Sequence, residues 1–365
     1  MPEPFKNFIS EELITGMACH LGIAWPAFPR ERFIANAQRN LEELELKQRS
    51  NQIVTALERH LPSDFEQAAA VLRASLPGKN KPGLSGWAIM PLNDYIGRAG
   101  QEHFDTAMDL LRDITSLFTS EFGVRHFLIA NQSRALEQMV RWSKSKNFHV
   151  RRLASEGCRP RLPWAMRLPE LVKDPRPILP ILTTLRDDPE EYVRRSVANN
   201  LNDISKDHPD LVANTAADWM TNASKDRKRL IRHACRSLLK QGHGTALGVF
   251  GFDKPEKVSA ELQIQTPVLT LGSELKFELS LNSTARQEQK LMIDYVVHHM
   301  KANGKQTPKV FKWKTTQIEA GAHIAIGKRH AIRPITTRRY YAGQHRLEIM
   351  VNGTSVAMAD FILSI

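Results

Sequence analysis

Val150-Arg151-Arg152-Leu153-Ala154-Ser155-Glu156 and Val193-Arg194-Arg195-Ser196-Val197-Ala198-Asn199-Asn200-Leu201-Asn202-Asp203 open on the same tripeptide, 43 residues apart. Leu230-Ile231-Arg232-His233 follows after a further 37 residues, and Val124-Arg125-His126 is an earlier, less regular copy. With Val193 at the origin of a helical wheel, Val197, Leu201 and Ile204 fall within about 80° on one side. Arg195, Asn199 and Asp203, spaced i, i+4, i+8, run along nearly the opposite side. Arg152 and Glu156 repeat the i, i+4 relation. A helical unit recurring at 37–43 residues has the period of HEAT-type repeats, so the spacing predicts an α-solenoid whose equivalent stripes lie side by side.

The helical pattern extends outward to about residue 245. Phe33, Ala37, Leu41 and Leu44 have helix spacing after Pro29, and Ile53, Leu57 and Leu61 continue it to Pro62. Asp64 is placed to cap a helix that buries Ala68, Leu72 and Leu76 before Pro77-Gly78 ends it. Between 242 and 256 the chain turns rich in glycine, and the apolar period drops from 3.6 to 2. Leu262/Ile264, Leu275/Phe277/Leu279/Leu281, Leu291/Ile293/Tyr295/Val297 and Leu347/Ile349/Val351 alternate as half-buried strands. Asn303-Gly304 and Asn352-Gly353 are type I′ hairpin signals. About seven strands in this length suit an immunoglobulin-like β-sandwich, with Tyr341 as a possible tyrosine corner. The expected organisation is α then β: a HEAT-like domain over 1–245, a linker over 246–255 and a sandwich over 256–365.

Charge is unevenly distributed over the 365 residues and their net +12. Residues 1–120 carry a net −3, 121–250 a net +9 and 251–365 a net +6. A directed cationic field of this kind steers phosphate backbones, with an affinity that falls steeply with salt. No apolar run approaches the roughly 20 residues of a membrane span, and the N-terminus lacks the layout of a signal peptide. Cys19, Cys158 and Cys235 are too few and too scattered for a disulfide framework or a zinc site. The reading is a cytoplasmic monomer that needs no metal or cofactor and binds no membrane.

Carboxylates inside a cationic stripe point to a polyanion ligand with a locally positive centre. Glu156 and Asp203 hold such positions. The later copy presents Lys228, Arg232, Arg236 and Lys240 at i, i+4 spacing, a row of like charges that phosphates would stabilise. After Glu156 the chain enters Gly157-Cys158-Arg159-Pro160-Arg161-Leu162-Pro163-Trp164, a stiff loop with two cations and a terminal indole. Such an indole either stacks on a base while Arg159 and Arg161 hold phosphates, or covers the core; composition does not choose between them. Trp142 and Trp219 lie in helical patterns as core residues, and Cys158 and Cys235 read as small apolar residues. In the β region Lys328-Arg329-His330, Arg333, Arg338 and Arg339 are either surface charge or contacts to DNA backbone and minor groove.

At these residues the chain resembles the HEAT-like-repeat DNA alkylation-repair glycosylases, the AlkC and AlkD superfamily, and within it the AlkC branch. The segments that carry the resemblance are Val150 to Trp164, Val193 to Asp203, and Thr119-Ser120-Glu121-Phe122-Gly123-Val124-Arg125; the likeness spans roughly residues 1–245. It implies a monofunctional glycosylase for cationic alkylated bases, 3-methyladenine and 3-methylcytosine above all, acting on double-stranded DNA. It also implies that Glu121, Glu156, Asp203 and Trp164 surround the lesion; the basic clusters of the β region lead to the further expectation that the immunoglobulin-like domain clamps the DNA.

The residues fit that chemistry on their own terms. Alkylation at N3 makes the base a cationic leaving group, so the step needs stabilisation of an oxocarbenium-like sugar, which carboxylates supply. One carboxylate can orient or deprotonate the attacking water, a role assigned to Asp203. Arg152, Arg159, Arg161, Arg195, Asn199, Arg232, Arg236, Arg338 and Arg339 are the expected DNA contacts. The competing reading is a non-enzymatic HEAT adaptor that binds nucleic acid.

Overall fold

The computed structural model describes residues 3–336 and 338–365. Contact density divides the chain into two compact units: one runs to Asp207 and resumes over Ser224–Ala234, and the other takes His208–Ala223 and Cys235–Ile365.

The first unit is helical. In chain order it contains α1 (Glu11–Ala24), α2 (Arg30–Ala37), α3 (Leu46–His60), α4 (Phe65–Ser75), α5 (Ile89–Ala99), α6 (Phe104–Ile114), α7 (Val124–Ala130) and α8 (Gln132–Trp142). It continues through α9 (Phe148–Glu156), α10 (Pro169–Lys173), α11 (Leu179–Leu185) and α12 (Glu191–Ile204). The chain then passes through α13 (Pro209–Met220) and returns as α14 (Lys225–Ala234). Asp64 caps α4 by accepting from the Gln67 amide at 2.8 Å, as its position predicts. Val193, Val197, Leu201 and Ile204 are all buried, and α12 packs against both α9 and α14. The repeated motif therefore stacks upon itself.

The paired arginines divide their labour in a way the wheel does not reveal. Arg151 Nη1 donates to the carbonyls of Ser145 and Lys146, and Arg194 Nη1 donates to those of Asp188 and Pro189. The offsets, six and five residues back, are the same in both copies. The remaining guanidinium nitrogens reach the next copy: Arg151 to Asp188 at 2.5 and 2.9 Å, and Arg194 to Asp226 at 3.2 Å. The first arginine of each pair thus ties its own turn and staples one repeat to the next.

The second unit joins α13, α15 (Arg236–Gln241) and α16 (Gly244–Gly248) to a β-sandwich. Its strands are β1 (Val258–Ile264), β2 (Val268–Thr270), β3 (Glu274–Ser283), β4 (Gln289–Met300), β5 (Gln306–Ile318), β6 (His323–Ala331), β7 (Gly343–Val351) and β8 (Thr354–Ser364). They form a three-stranded sheet, β1-β3-β6, and a five-stranded sheet, β2-β8-β7-β4-β5. Leu275, Phe277, Leu279, Leu281, Leu291, Ile293, Tyr295, Val297, Leu347, Ile349 and Val351 line the core between them. The alternations read from the sequence are β1, β3, β4 and β7; β5, β6, β8 and the three-residue β2, which runs parallel to β8, were not individually marked by them.

Asn352 and Gly353 have φ of 47° and 76°, as a type I′ turn requires. At the other hairpin signal only Gly304 is left-handed, and its amide donates to Lys301 O, so that loop closes as a longer turn with glycine after it. The tyrosine corner does not form: among the described residues Tyr341 contributes its carbonyl to His345 but no hydroxyl hydrogen bond. The stretch 246–255 is not a plain linker. It contains most of α16 and buries Leu247 and Phe252.

The buried His299 and the half-buried His330 give the sandwich a pH dependence. Burial pushes His299 down to about 3 and His330 down to about 4, and Arg338 adds repulsion at both. The neutral His299 ring pairs through Nε2 with Arg338 Nη1 at 2.7 Å. Each ring is neutral when folded and protonates near 6.5 when exposed. Stability is therefore fully present above pH 6.5 and is lost as pH falls towards 4, by about 2 kcal/mol per histidine near pH 4.5. Thermal unfolding from pH 7 to 4.5 is expected to lower the wild-type midpoint more than that of His299→Gln. Parallel curves for the two proteins would refute it.

Candidate active site

Glu121, Glu156 and Asp203 come from three separate segments, the turn before α7, the last turn of α9 and the last turn of α12. Their side chains lie in one row, interleaved with arginines. Arg152 Nη1 pairs with Glu121 Oε2, and Arg152 Nη2 lies 3.3 Å from Glu156 Oε1. Arg159 Nη1 donates to Glu156 Oε1 at 2.6 Å, and Arg159 Nε donates to Asp203 Oδ2 at 2.8 Å. Lys206 Nζ closes the row on Asp203 Oδ1 at 3.0 Å. Hydroxyls add further donors: Thr119 Oγ1 to Glu121 at 2.8 Å and Ser196 Oγ to Glu156 Oε2 at 2.6 Å. Glu121, Glu156 and Asp203 are only 9%, 5% and 3% exposed, and each carboxylate is held by a cation before any ligand arrives.

For Arg152, burial disfavours the charge, yet Glu156 and Glu121 outweigh it and hold the guanidinium above its ordinary range. For Arg159, burial is likewise outweighed by Glu156 and Asp203. Both stay cationic at any working pH. The Arg152 guanidinium also lies over the Tyr192 ring, 5.0 Å from its centroid.

Beneath the row, Arg125 is completely buried and holds the loop after α9. It donates to the carbonyls of Gly157 and Arg159 at 2.9 and 2.8 Å and through Nε to that of Met166 at 2.7 Å. This loop carries Trp164, which is 57% exposed and adopts φ +63°, a left-handed conformation that bulky residues rarely accept. Trp164 is therefore presented outward rather than folded over the core. Trp142 and Trp219 are buried, and so are Cys158 and Cys235, whose thiols burial pushes up to about 12.

The expected DNA contacts separate into two kinds. Arg152 and Arg159 are counter-ions within the carboxylate row, and Arg161 grips Asp207 through two bonds of 2.7 Å. Each of the three already faces a protein carboxylate. Arg195, Arg232, Arg236 and Arg339 are exposed, while Asn199 pairs with His233 at 3.0 Å. The row Lys228, Arg232, Arg236, Lys240 is not one helix, since Cys235 interrupts it and begins α15. Arg338 belongs to the histidine cluster, and Arg339 lies over Tyr341. Sequence reasoning did not assign Thr119, Arg125, Tyr192, Ser196 and Lys206 to the site, although Thr119, Arg125 and Ser196 lie in the segments that carry the resemblance and Lys206 stands i+3 from Asp203.

Residues 88–241 match the family described as "DNA alkylation repair enzyme", and residues 258–365 match "Uncharacterised protein YhaZ, C-terminal Ig-like domain". The chain is 38% identical to the uncharacterized protein YhaZ of Bacillus subtilis over 98% of both chains. It is 37% identical to a solved structure, the Pseudomonas fluorescens alkylpurine DNA glycosylase AlkC bound to DNA containing an abasic site analog. That match covers 100% of both chains with a TM-score of 0.87. With its repeated helical motif, its Ig-like sandwich and full-length similarity to AlkC, the chain belongs to the DNA alkylation repair enzyme family, in the AlkC branch.

Proposed function

We propose that this protein is a monofunctional DNA glycosylase that removes cationic N3-alkylated bases, 3-methyladenine and 3-methylcytosine, by hydrolysing the N-glycosidic bond. The observation that carries the reading is the pre-ordered row Glu121, Glu156 and Asp203, set in a segment whose net charge is +9. A lesion that already bears positive charge departs with little acid catalysis. Its sugar becomes oxocarbenium-like, and fixed carboxylate oxygens stabilise that charge without reorganising. Asp203 is the carboxylate proposed to orient water, with Glu121 and Glu156 supplying field to base and sugar. Trp164 stacks beside the lesion, and Arg195, Arg232, Arg236 and Arg339 contact the backbone. An abasic site is the product of such a reaction, which fits the DNA bound by the AlkC relative.

The test is chromatographic base release from a methylated duplex, with the strands examined before and after alkali. Release of both bases from DNA that is cut only after alkali is expected. Cutting without alkali would remove the monofunctional assignment. Tight DNA binding with no base release would favour the adaptor reading.

A further inference from the structure

The first unit carries a train of aromatic rings, Phe5, Phe8 and Trp164 exposed and Trp87 half-buried, of which the reading above uses only Trp164. Phe5 and Phe8, on a 3-10 turn, are 53% and 40% exposed. Trp164 meets Phe5 edge-on at 5.6 Å, Phe5 lies 6.1 Å from both Phe8 and Trp87, and Phe8 stacks on Trp87 at 5.2 Å and 3°. The phenylalanines are not held there by their own burial. Arg49, itself buried, donates to the carbonyls of Lys6 and Ile9 at 3.0 and 2.9 Å, and Lys6 pairs with Glu45 at 2.7 Å. The turn is anchored by polar contacts, and its rings are left facing solvent.

Beside this train runs a groove of about 580 Å³ on α2 and α3. Arg39, Lys47 and Arg59 line it with the amides of Asn36, Gln48 and Asn51, and no carboxylate is among its described lining residues. This is a local exception to the net −3 of residues 1–120. Lys47 joins the two features: its Nζ donates to the Trp164 carbonyl and lies 5.6 Å from the centroid of Phe122, next to Glu121.

We propose that the Phe5–Phe8–Trp87–Trp164 train is a stacking platform for an unpaired DNA nucleotide neighbouring the lesion, with its phosphates held along Arg39, Lys47 and Arg59. The proposal rests on the DNA-repair reading above and extends it to a second nucleotide. Any base offers a π-face, so such a surface binds single strands with little sequence preference. Bases inside a duplex have their faces covered, so only an unstacked nucleotide can use these rings. The carboxylate-free groove favours a polyanion over a protein segment.

The experiment uses the full chain and two ligands: a labelled oligodeoxythymidylate, and a duplex carrying an abasic analogue with 2-aminopurine opposite it. Wild type is expected to bind the oligomer with strong salt dependence and to change the 2-aminopurine emission. Phe5→Ala/Phe8→Ala is expected to weaken oligomer binding by about tenfold and to lose the emission change. Phe5→Trp/Phe8→Trp is expected to keep both. Arg39→Gln/Arg59→Gln is expected to flatten the salt slope. An alanine pair that matches wild type in affinity and emission overturns the platform, as does a wild type that ignores the oligomer. Base release is assayed in parallel. Its absence from wild type would sink the glycosylase reading alone, because oligomer binding still decides the platform.

Discussion

Asp203→Asn is expected to lower base release by about 10²- to 10³-fold, the range for removing one pre-oriented charge or one positioned proton acceptor. The amide is isosteric, and its oxygen can still accept from Arg159 Nε, which now lies 2.8 Å from the carboxylate. The lost quantities are therefore the negative charge, the ability to take a proton from water and the acceptor for Lys206 Nζ, which would face the new amide nitrogen. Affinity for undamaged DNA should stay the same or tighten, since an anion facing a polyanion has been removed. Single-turnover excision and salt-controlled binding on the same duplex measure the two effects. A variant that excises within threefold of wild type would exclude Asp203 from the chemistry.

Arg125→Met should produce the largest loss of stability outside the apolar core. The guanidinium is fully buried and serves three carbonyls of the loop that carries Arg159 and Trp164. Burial holds it down at about 10, and it remains charged at neutral pH. Methionine has a similar length but no donors, so those carbonyls lose their protein partner at about 1–3 kcal/mol each. A total of roughly 4 kcal/mol is a large part of the 5–15 kcal/mol that folding usually provides. The midpoint should fall by about 10 °C, with excision reduced as Arg159 loses its alignment. Arg125→Lys should recover little, because one ammonium cannot span the Met166, Gly157 and Arg159 carbonyls at once. A Met variant within 1 kcal/mol of wild type would show that water replaces the guanidinium without cost.

Much of this architecture was legible in the chain because local physics dictates it. The switch from a 3.6 to a 2.0 period, the Asp64 cap, the Asn352-Gly353 turn and the apolar face of α12 need only neighbours along the sequence. The gathering of Glu156 and Asp203 followed from the stacking of the repeated motif, whereas Glu121, in the turn before α7, entered only through the family resemblance. What stayed hidden depends on distant partners. Arg151 and Arg194 look like surface cations until Asp188 and Asp226 arrive from the next repeat. Arg159 and Arg161 look like phosphate ligands until Asp203 and Asp207 occupy them. Lys228 to Lys240 keeps helical spacing across Cys235, where the backbone turns without changing the pattern of residue types. Phe5 and Phe8 lie before any periodic segment, so their exposure is decided by the Arg49 anchor.

The left-handed glycines Gly242 and Gly353 touch backbone to backbone: a Cβ on Gly242 would come within 2.7 Å of the other's main chain, and one on Gly353 within 2.5 Å of that of Gly242. Asn352, beside Gly353, donates to the Asp253 and Lys290 carbonyls at 2.7 and 2.9 Å and accepts from the Met292 amide. The cap of α15, the segment after α16 and the β7–β8 hairpin are thereby welded into one piece. Gene fragments cut near residue 245 or 256 pass through the middle of that weld, stripping Phe252 and Leu247 of part of their setting. An Ig-like module expressed on its own would have to carry the preceding helices with it to be the same object.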